Sequence, residues 1–271
     1  MPDLSLYQAT CLGLFIAGVF TVISLVFTTA PYGRYERGGK WGPEIDERIV
    51  WMVMEAVSPI MFLVFFLRGT SNGAEASTAQ LILAAMFLGH YTYRSFIYPM
   101  RIRGVGKKPV ATGAMAVVFN SFNGSVNGWG VGAAAHLGAA WLTSPLFLIG
   151  VPLFFFGMWL NLNSDHILRN LRGPGETGYK IPTGGGFRFV TSPNYLGEII
   201  EWTGFAIAAC TLGAASFAFF TAANIGPRAF QHHRWYKEKF PDYPKERKAF
   251  CLLYTSPSPR DQRGARMPSS A

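Results

Sequence analysis

Hydrophobic positions in this chain come in long uncharged runs. Residues 4–31 carry no charged side chain, and neither do residues 110–164. A membrane-spanning helix needs about 20 mostly apolar residues, so these runs predict spanning helices rather than the core of a soluble domain. Read in order, the pattern predicts seven of them. The first four are residues 4–30, 49–67, 78–98 and a span starting near Val110. The fifth runs from Pro145 to Asp165, with a helical extension to Arg172; the sixth covers 194–212, and the seventh starts at Ala214 and continues into a basic segment. The stretch 120–138 is rich in Gly and Asn and fits either a loop or a broken, re-entrant helix lining a cavity. It contains the sequon Asn123-Gly124-Ser125.

Charge supports the count. Arg34, Arg37, Lys40 and Arg48 follow the first span; Arg101, Arg103, Lys107 and Lys108 follow the third; Arg169, Arg172, Lys180 and Arg188 follow the fifth. The segment from Arg228 is more basic still, whereas the intervening loops carry only Arg68. By the positive-inside rule the N-terminus lies outside and the C-terminus in the cytoplasm. The expected fold is therefore an all-α integral membrane protein without a Rossmann domain. Its membrane is a bacterial inner membrane or the endoplasmic reticulum.

Composition agrees: 50% of residues are hydrophobic and 14% charged, against about 25% charged in soluble domains. The first run is too long for a signal-peptide core and lacks a cleavage site, so it reads as a retained helix. The three cysteines, Cys11, Cys210 and Cys251, show no metal-ligand spacing and no disulfide framework. The net charge of +9 follows from the inside rule, and an anionic ligand on that side would add to it; no separate basic module suggests nucleic acid. Residues 1–251 read as one membrane domain, with most polar motifs in 145–250. Residues 252–271 are rich in Pro, Ser and Arg and predict a disordered, non-native tail.

Polar side chains inside the spans are the chemistry-bearing signal, since each charge at bilayer depth costs roughly 2.5–3.5 kcal/mol. Asn161, Asp165 and Arg169 recur at helical spacing, with Arg172 beyond, and Asn194, Glu198 and Glu201 do the same on the next helix. Such stripes need a partner, for which a phosphate-bearing cofactor is one solution and mutual ion pairing another. Glu55 in the second span is either salt-bridged to another helix or a proton donor to a carbonyl. Tyr91, Arg94 and Tyr98 share a face of the third, where Arg94 either snorkels to the interface or serves the site. Glu55 and Tyr91 together would clamp a substrate oxygen. The glycine-rich loop 173–186 fits no dinucleotide fingerprint and suits a flexible connector equally well. Arg228, His232 and Tyr236 fall on one helical face and Arg247 follows, a pattern matching phosphate recognition or a basic face on anionic lipid. A metal site at His232 and His233 has no paired carboxylate motif to support it.

Four segments carry a resemblance: LNLNSDHILRNLR (160–172), GYKIPTGGGF (178–187), NYLGEIIEW (194–202) and RAFQHHRWYKEKFPDYPKERKAF (228–250). With Glu55 and HYTYRSFIYPMR (90–101), they make the chain similar to the steroid 5α-reductase family (3-oxo-5α-steroid 4-dehydrogenases). The resemblance implies a seven-helix membrane enzyme that uses NADPH, transferring hydride to C5 and a proton to C4 of a 3-oxo-Δ4 steroid. Glu55 and Tyr91 would hold the 3-keto oxygen. Asn161, Asp165, Arg172, Tyr179, Asn194, Glu198, Arg228, His232, Tyr236 and Arg247 would surround the cofactor, with Arg94 and Arg103 as further candidates. It also implies a steroid or other 3-oxo lipid entering from the bilayer, contact with membrane lipids, and a monomer. Two departures stand out: Met54 where the family often has Gln, and Gln231 where it often has His. Competing expectations are an enoyl-CoA or polyprenal reductase on the same fold, a membrane methyltransferase, or a transporter.

Overall fold

A computed structural model describes residues 4–28, 42–70, 75–102, 106–173, 176 and 178–250. Helices α1 (Leu4–Phe27), α2 (Glu47–Thr70), α5 (Val110–Gly132), α6 (Pro145–Arg169), α7 (Pro193–Ala209) and α8 (Leu212–Lys239) are continuous rods. A further rod is composite: α3 (Thr78–Thr92) passes through a π turn (Tyr93–Ile97) into α4 (Tyr98–Arg101). The strands among the described residues are short: β1 (Glu44–Asp46) pairs antiparallel with β2 (Lys107–Pro109), tying the foot of α2 to that of α5. The fold is helical, with no Rossmann-like sheet in the described residues. The proposed tail at 252–271, Arg103 and most of the first loop lie outside those residues.

Among the described residues, three helices are long and apolar enough to cross a membrane: residues 5–27, 47–70 and 145–169. The other rods carry polar cargo that lowers their hydropathy: asparagines on α5, Glu198 and Glu201 on the shorter α7, and the basic end of α8. Outward faces are apolar nonetheless. Leu12, Phe20, Val26 and Phe27 of α1 and Leu148, Ile149, Phe155 and Trp159 of α6 are all exposed. Such continuous apolar surface is what hydrocarbon, rather than water, accommodates.

Most of the Gly- and Asn-rich stretch is continuous helix, since α5 runs unbroken to Gly132; only residues 133–138 are a turn. Its glycines are an interface. A Cβ on Gly124, Gly128 or Gly132 would collide with the backbone carbonyls of Ser58, Phe62 and Phe66 on α2. Four-residue spacing of small residues lets two membrane helices approach this closely. The sequon is accordingly shut, because Asn123 is wholly buried. A second seam joins α6 and α7, where Gly150 and Gly157 pack against Gly204 and Gly197 backbone to backbone. We expect Gly128→Val to destabilise the protein by about 3 kcal/mol or more, since backbone cannot yield as a side chain does. Thermal unfolding in detergent micelles should show the loss, with Gly89→Ala, where an added Cβ meets nothing within 4 Å, as the matched control.

Helix ends define where the site lies. α6 stops at Arg169 rather than extending to Arg172, because Asn170 leaves the helix and its side chain donates to the His166 carbonyl at 2.9 Å. α7 ends at Cys210 in the left-handed conformation, with φ 48°. Thr211 then caps α8 by accepting from the Ala214 amide. The two helices thus form a tight hairpin. Between α2, α3, α7 and α8 sits an aromatic core, with Phe87 and Trp202 surrounded by Phe62, Tyr91, Phe205 and Phe217.

Candidate active site

Pro59 interrupts α2 one turn after Glu55. It has no N–H to give the Glu55 carbonyl, so the helix is loosened at the acid. From α5, Asn120 donates to the Met54 carbonyl at 2.7 Å and holds that turn in place. Across from it, α3 presents His90 and Tyr91, both buried. Ser58, one turn after Glu55 on α2, meets Asn123 Nδ2 at 3.2 Å, and the same amide donates to the Tyr91 hydroxyl at 2.7 Å.

Below Tyr91 the helix widens into the π turn, a distortion frequent at functional sites. Arg94 sits in it, its guanidinium 5.1 Å from the Trp51 ring centre and 4.8 Å from that of Tyr98. It does not snorkel away: its side chain is 15% exposed and lies 4.0 Å from Asp165 Oδ2. The Glu198 and Glu55 carboxyls also act on Arg94, from α7 and α2. Asn194 links the two stripes, its Nδ2 facing Asp165 Oδ1 at 3.4 Å while its backbone carbonyl accepts from Asn161 Nδ2 at 3.0 Å. Glu55, Tyr91, Arg94, Asn161, Asp165, Asn194 and Glu198 therefore form one interior polar cluster.

A second group lies at the basic end. Arg228 stacks 5.4 Å over Tyr195, whose ring is 5.4 Å from His232. Tyr236 is buried in a stack with Phe240 and Tyr243. The segment after α8 folds back onto the loop preceding α7: the Thr191 amide donates to the Lys248 carbonyl at 2.8 Å, and the Lys248 amide to the Phe189 carbonyl at 2.9 Å. That return buries Arg247 to 5% exposure, with its guanidinium 5.1 Å over Tyr243. Its Nε and Nη1 have no hydrogen-bond partner among the described residues. A buried guanidinium with two orphaned donors suits an anionic oxygen cluster such as a phosphate. The chemistry of this donor set therefore fits a phosphate-bearing cofactor such as NADPH.

Other expected residues fall elsewhere. Arg172 is exposed beyond the end of α6, and Tyr179 is exposed at 48%, edge-on to Trp235. Arg103 lies outside the described residues. Gln231 donates to the Leu25 and Thr28 carbonyls and so ties α8 to the end of α1, a role His would not fill in the same way. A groove of about 470 Å³ on the outer flank of α6 is lined by Tyr93, Arg101, Trp159, His166 and Arg169, and not by Glu55 or Tyr91.

Glu201, the last of the α7 stripe, meets a residue to which spacing assigns no role: its Oε1 is 2.6 Å from His90 Nδ1, both buried. Asn120, Asn123 and Asn127 line one face of α5. Their i, i+3, i+7 spacing was the available signal, obscured by the glycines between them.

His233, on the basic extension of α8, shares a hydrogen bond of 2.6 Å with Thr191 Oγ1, which also meets the Tyr243 hydroxyl at 2.8 Å. Burial, and then the charges of Lys237, Arg247 and Lys248, push its pKa from the ordinary 6.5 down to about 4. The folded imidazole is neutral where the unfolded one binds a proton. Its stabilising contribution is full above pH 6.5 and declines as pH falls towards 4. We expect limited proteolysis after α8 to quicken between pH 7 and pH 5, and His233→Gln to flatten that dependence.

The profile of the 3-oxo-5-alpha-steroid 4-dehydrogenase family matches residues 106–252. The chain is 42% identical to 3-oxo-5-alpha-steroid 4-dehydrogenase 1 of Rattus norvegicus over 84% of its own length and 87% of the relative's. It is 47% identical to 3-oxo-5-alpha-steroid 4-dehydrogenase 2 of Sus scrofa, over 80% and 85%. It is 39% identical to steroid 5-alpha-reductase DET2 of Gossypium hirsutum, over 91% and 96%. A helical oxidoreductase with an interior acid, phenol and arginine cluster is the class that fold and site define. The chain belongs to the 3-oxo-5-alpha-steroid 4-dehydrogenase family.

Proposed function

We propose that this protein reduces the Δ4 double bond of 3-oxo-Δ4 steroids to 5α-dihydrosteroids, with NADPH as the reductant. The observation that carries this reading is the buried Tyr91 phenol, bonded to an Asn123 amide that also reaches Ser58 one turn after Glu55 on α2, with Arg94 4.0 Å from Asp165 in the π turn below. Glu55, as the carboxylic acid, and Tyr91 donate hydrogen bonds to the 3-keto oxygen. Negative charge grows on that oxygen as the enone is reduced, so these bonds strengthen in the transition state and lower the barrier. Aromatic walls built from Phe87 and Trp202 exclude water around the reacting carbons. C4 takes up a proton as the enolate collapses.

NADPH, when bound, supplies the hydride that C5 receives. Arg247 would hold a phosphate, with Arg228, His232 and Tyr236 beside it on the basic end of α8 and the exposed Arg172 as an outer contact. Asn161, Asp165, Asn194, Glu198 and Arg94 would form the remaining wall, with the exposed Tyr179 outside it against Trp235. The helical rods all cross the membrane in this reading, giving seven spans with the N-terminus out and the site opening towards the cytoplasm. The steroid enters sideways from lipid, and the basic end admits the polar cofactor.

A substrate panel on the purified protein tests this. With NADPH, testosterone and progesterone should be converted to products two mass units heavier, and enoyl-CoA and polyprenal left unchanged. Turnover of an enoyl-CoA or polyprenal with none of the steroids would replace the proposed substrate class.

A further inference from the structure

We propose that Asn123 is a positioning residue that aims the Tyr91 hydroxyl hydrogen at the substrate ketone. This inference rests on the role given to Tyr91 above.

Hydrogen-bond directions on α5 are fixed by elimination. Asn127 Nδ2 donates to the Asn123 backbone carbonyl at 2.9 Å, and a carbonyl can only accept. The orientation of the Asn127 amide is thereby settled, and the same Nδ2 faces Asn123 Oδ1 at 2.9 Å. With its oxygen engaged there, Asn123 must turn its own NH₂ the other way. That group donates to the Tyr91 hydroxyl oxygen at 2.7 Å and to Ser58 Oγ at 3.2 Å. A phenol oxygen that receives a donor here must send its own hydrogen elsewhere. Ser58 is a neighbouring hydroxyl, and Glu55, proposed above to hold the ketone with Tyr91, lies one turn before it on α2.

The relay is built to hold. Asn123, Asn127 and Ser58 have no exposed surface. Gly124 and Gly128 bring the α5 backbone against α2, which sets the distance from Asn123 to Ser58. Asn120, on the same face, fixes the turn of α2 carrying Glu55. One helix face thus positions both groups that hold the ketone.

Asn123→Asp is nearly isosteric but replaces the donor by an acceptor, which captures the phenol hydrogen. Turnover of testosterone should fall on the order of a hundredfold. Asn123→Ala removes the donor without a buried charge and should cost about tenfold. Each effect should disappear in a Tyr91→Phe background, because no hydroxyl remains to be aimed. A readout independent of turnover is the affinity of a saturated 3-oxo steroid against its 3-deoxy analogue. Asn123→Ala should weaken binding of the first and leave the second unchanged.

If either Asn123 variant costs as much in Tyr91→Phe as in the parent, or weakens both steroids equally, the positioning role is overturned and Asn123 is structural. If Asn123→Asp does not fold, the Asn123→Ala pair decides alone. If Tyr91→Phe itself turns over at the parental rate, the role of Tyr91 fails instead, a result distinct from either.

Discussion

Glu55→Gln is expected to lower turnover of a 3-oxo-Δ4 steroid by roughly 10²–10³-fold while leaving NADPH affinity unchanged. The magnitude is that of removing one donor aimed at a developing oxyanion. Glutamine keeps the size of the side chain but replaces the acidic O–H by a far weaker amide donor, and the α2 turn held by Asn120 at the Met54 carbonyl should persist. What is lost is the acidic hydrogen, and with it the bond that strengthens as charge moves onto the ketone. Steady-state kinetics beside a cofactor titration separates the two quantities. A variant that turns over at the parental rate removes Glu55 from the chemistry; one that no longer binds NADPH moves it to the cofactor wall.

Arg247→Ala should show the opposite pattern. Charge-assisted hydrogen bonds contribute about 1.5–3 kcal/mol, so losing this guanidinium should weaken NADPH binding on the order of a hundredfold. Turnover at saturating cofactor should stay near the parental rate. Arg247→Lys tests the fork separately from the charge. A lysine over Tyr243 keeps the positive charge but not the planar donor pair, so an intermediate loss is expected. Arg172→Ala, at an exposed position beyond α6, should cost less than Arg247→Ala. Equal NADPH affinity in Arg247→Ala and the parent would leave the two orphaned donors without a cofactor role.

Much of this architecture is legible in the sequence because hydrocarbon is a strict solvent. Long apolar runs locate α1, α2 and α6 to within a few residues, and the polar stripes lead to Asp165, Asn194 and Glu198. Buried charge demands a partner, and Arg94 and Asp165, 4.0 Å apart, supply one for each other. The glycines of α5 were harder, since glycine signals both a break and a close contact. Only the opposing α2 backbone shows that Gly124 and Gly128 are contacts. Amide orientation is likewise invisible in a sequence: Asn123 and Asn127 look like loop residues until Tyr91 and Ser58 lie against them. Arg247 and Arg172 are equally basic on paper. The return of the chain along Thr191 and Lys248, fixed by backbone hydrogen bonds, buries one while the other stays in solvent.

The most direct test of the central claim is the position of label in the steroid after turnover with NADPH deuterated at the transferable position of the nicotinamide C4. If the interior cluster holds the ketone at Glu55 and Tyr91 and the cofactor at its lower wall, deuterium should be found at C5 of a 5α-dihydrosteroid. Deuterium at C4, at the carbinol carbon of a reduced ketone, or nowhere in the steroid would contradict it.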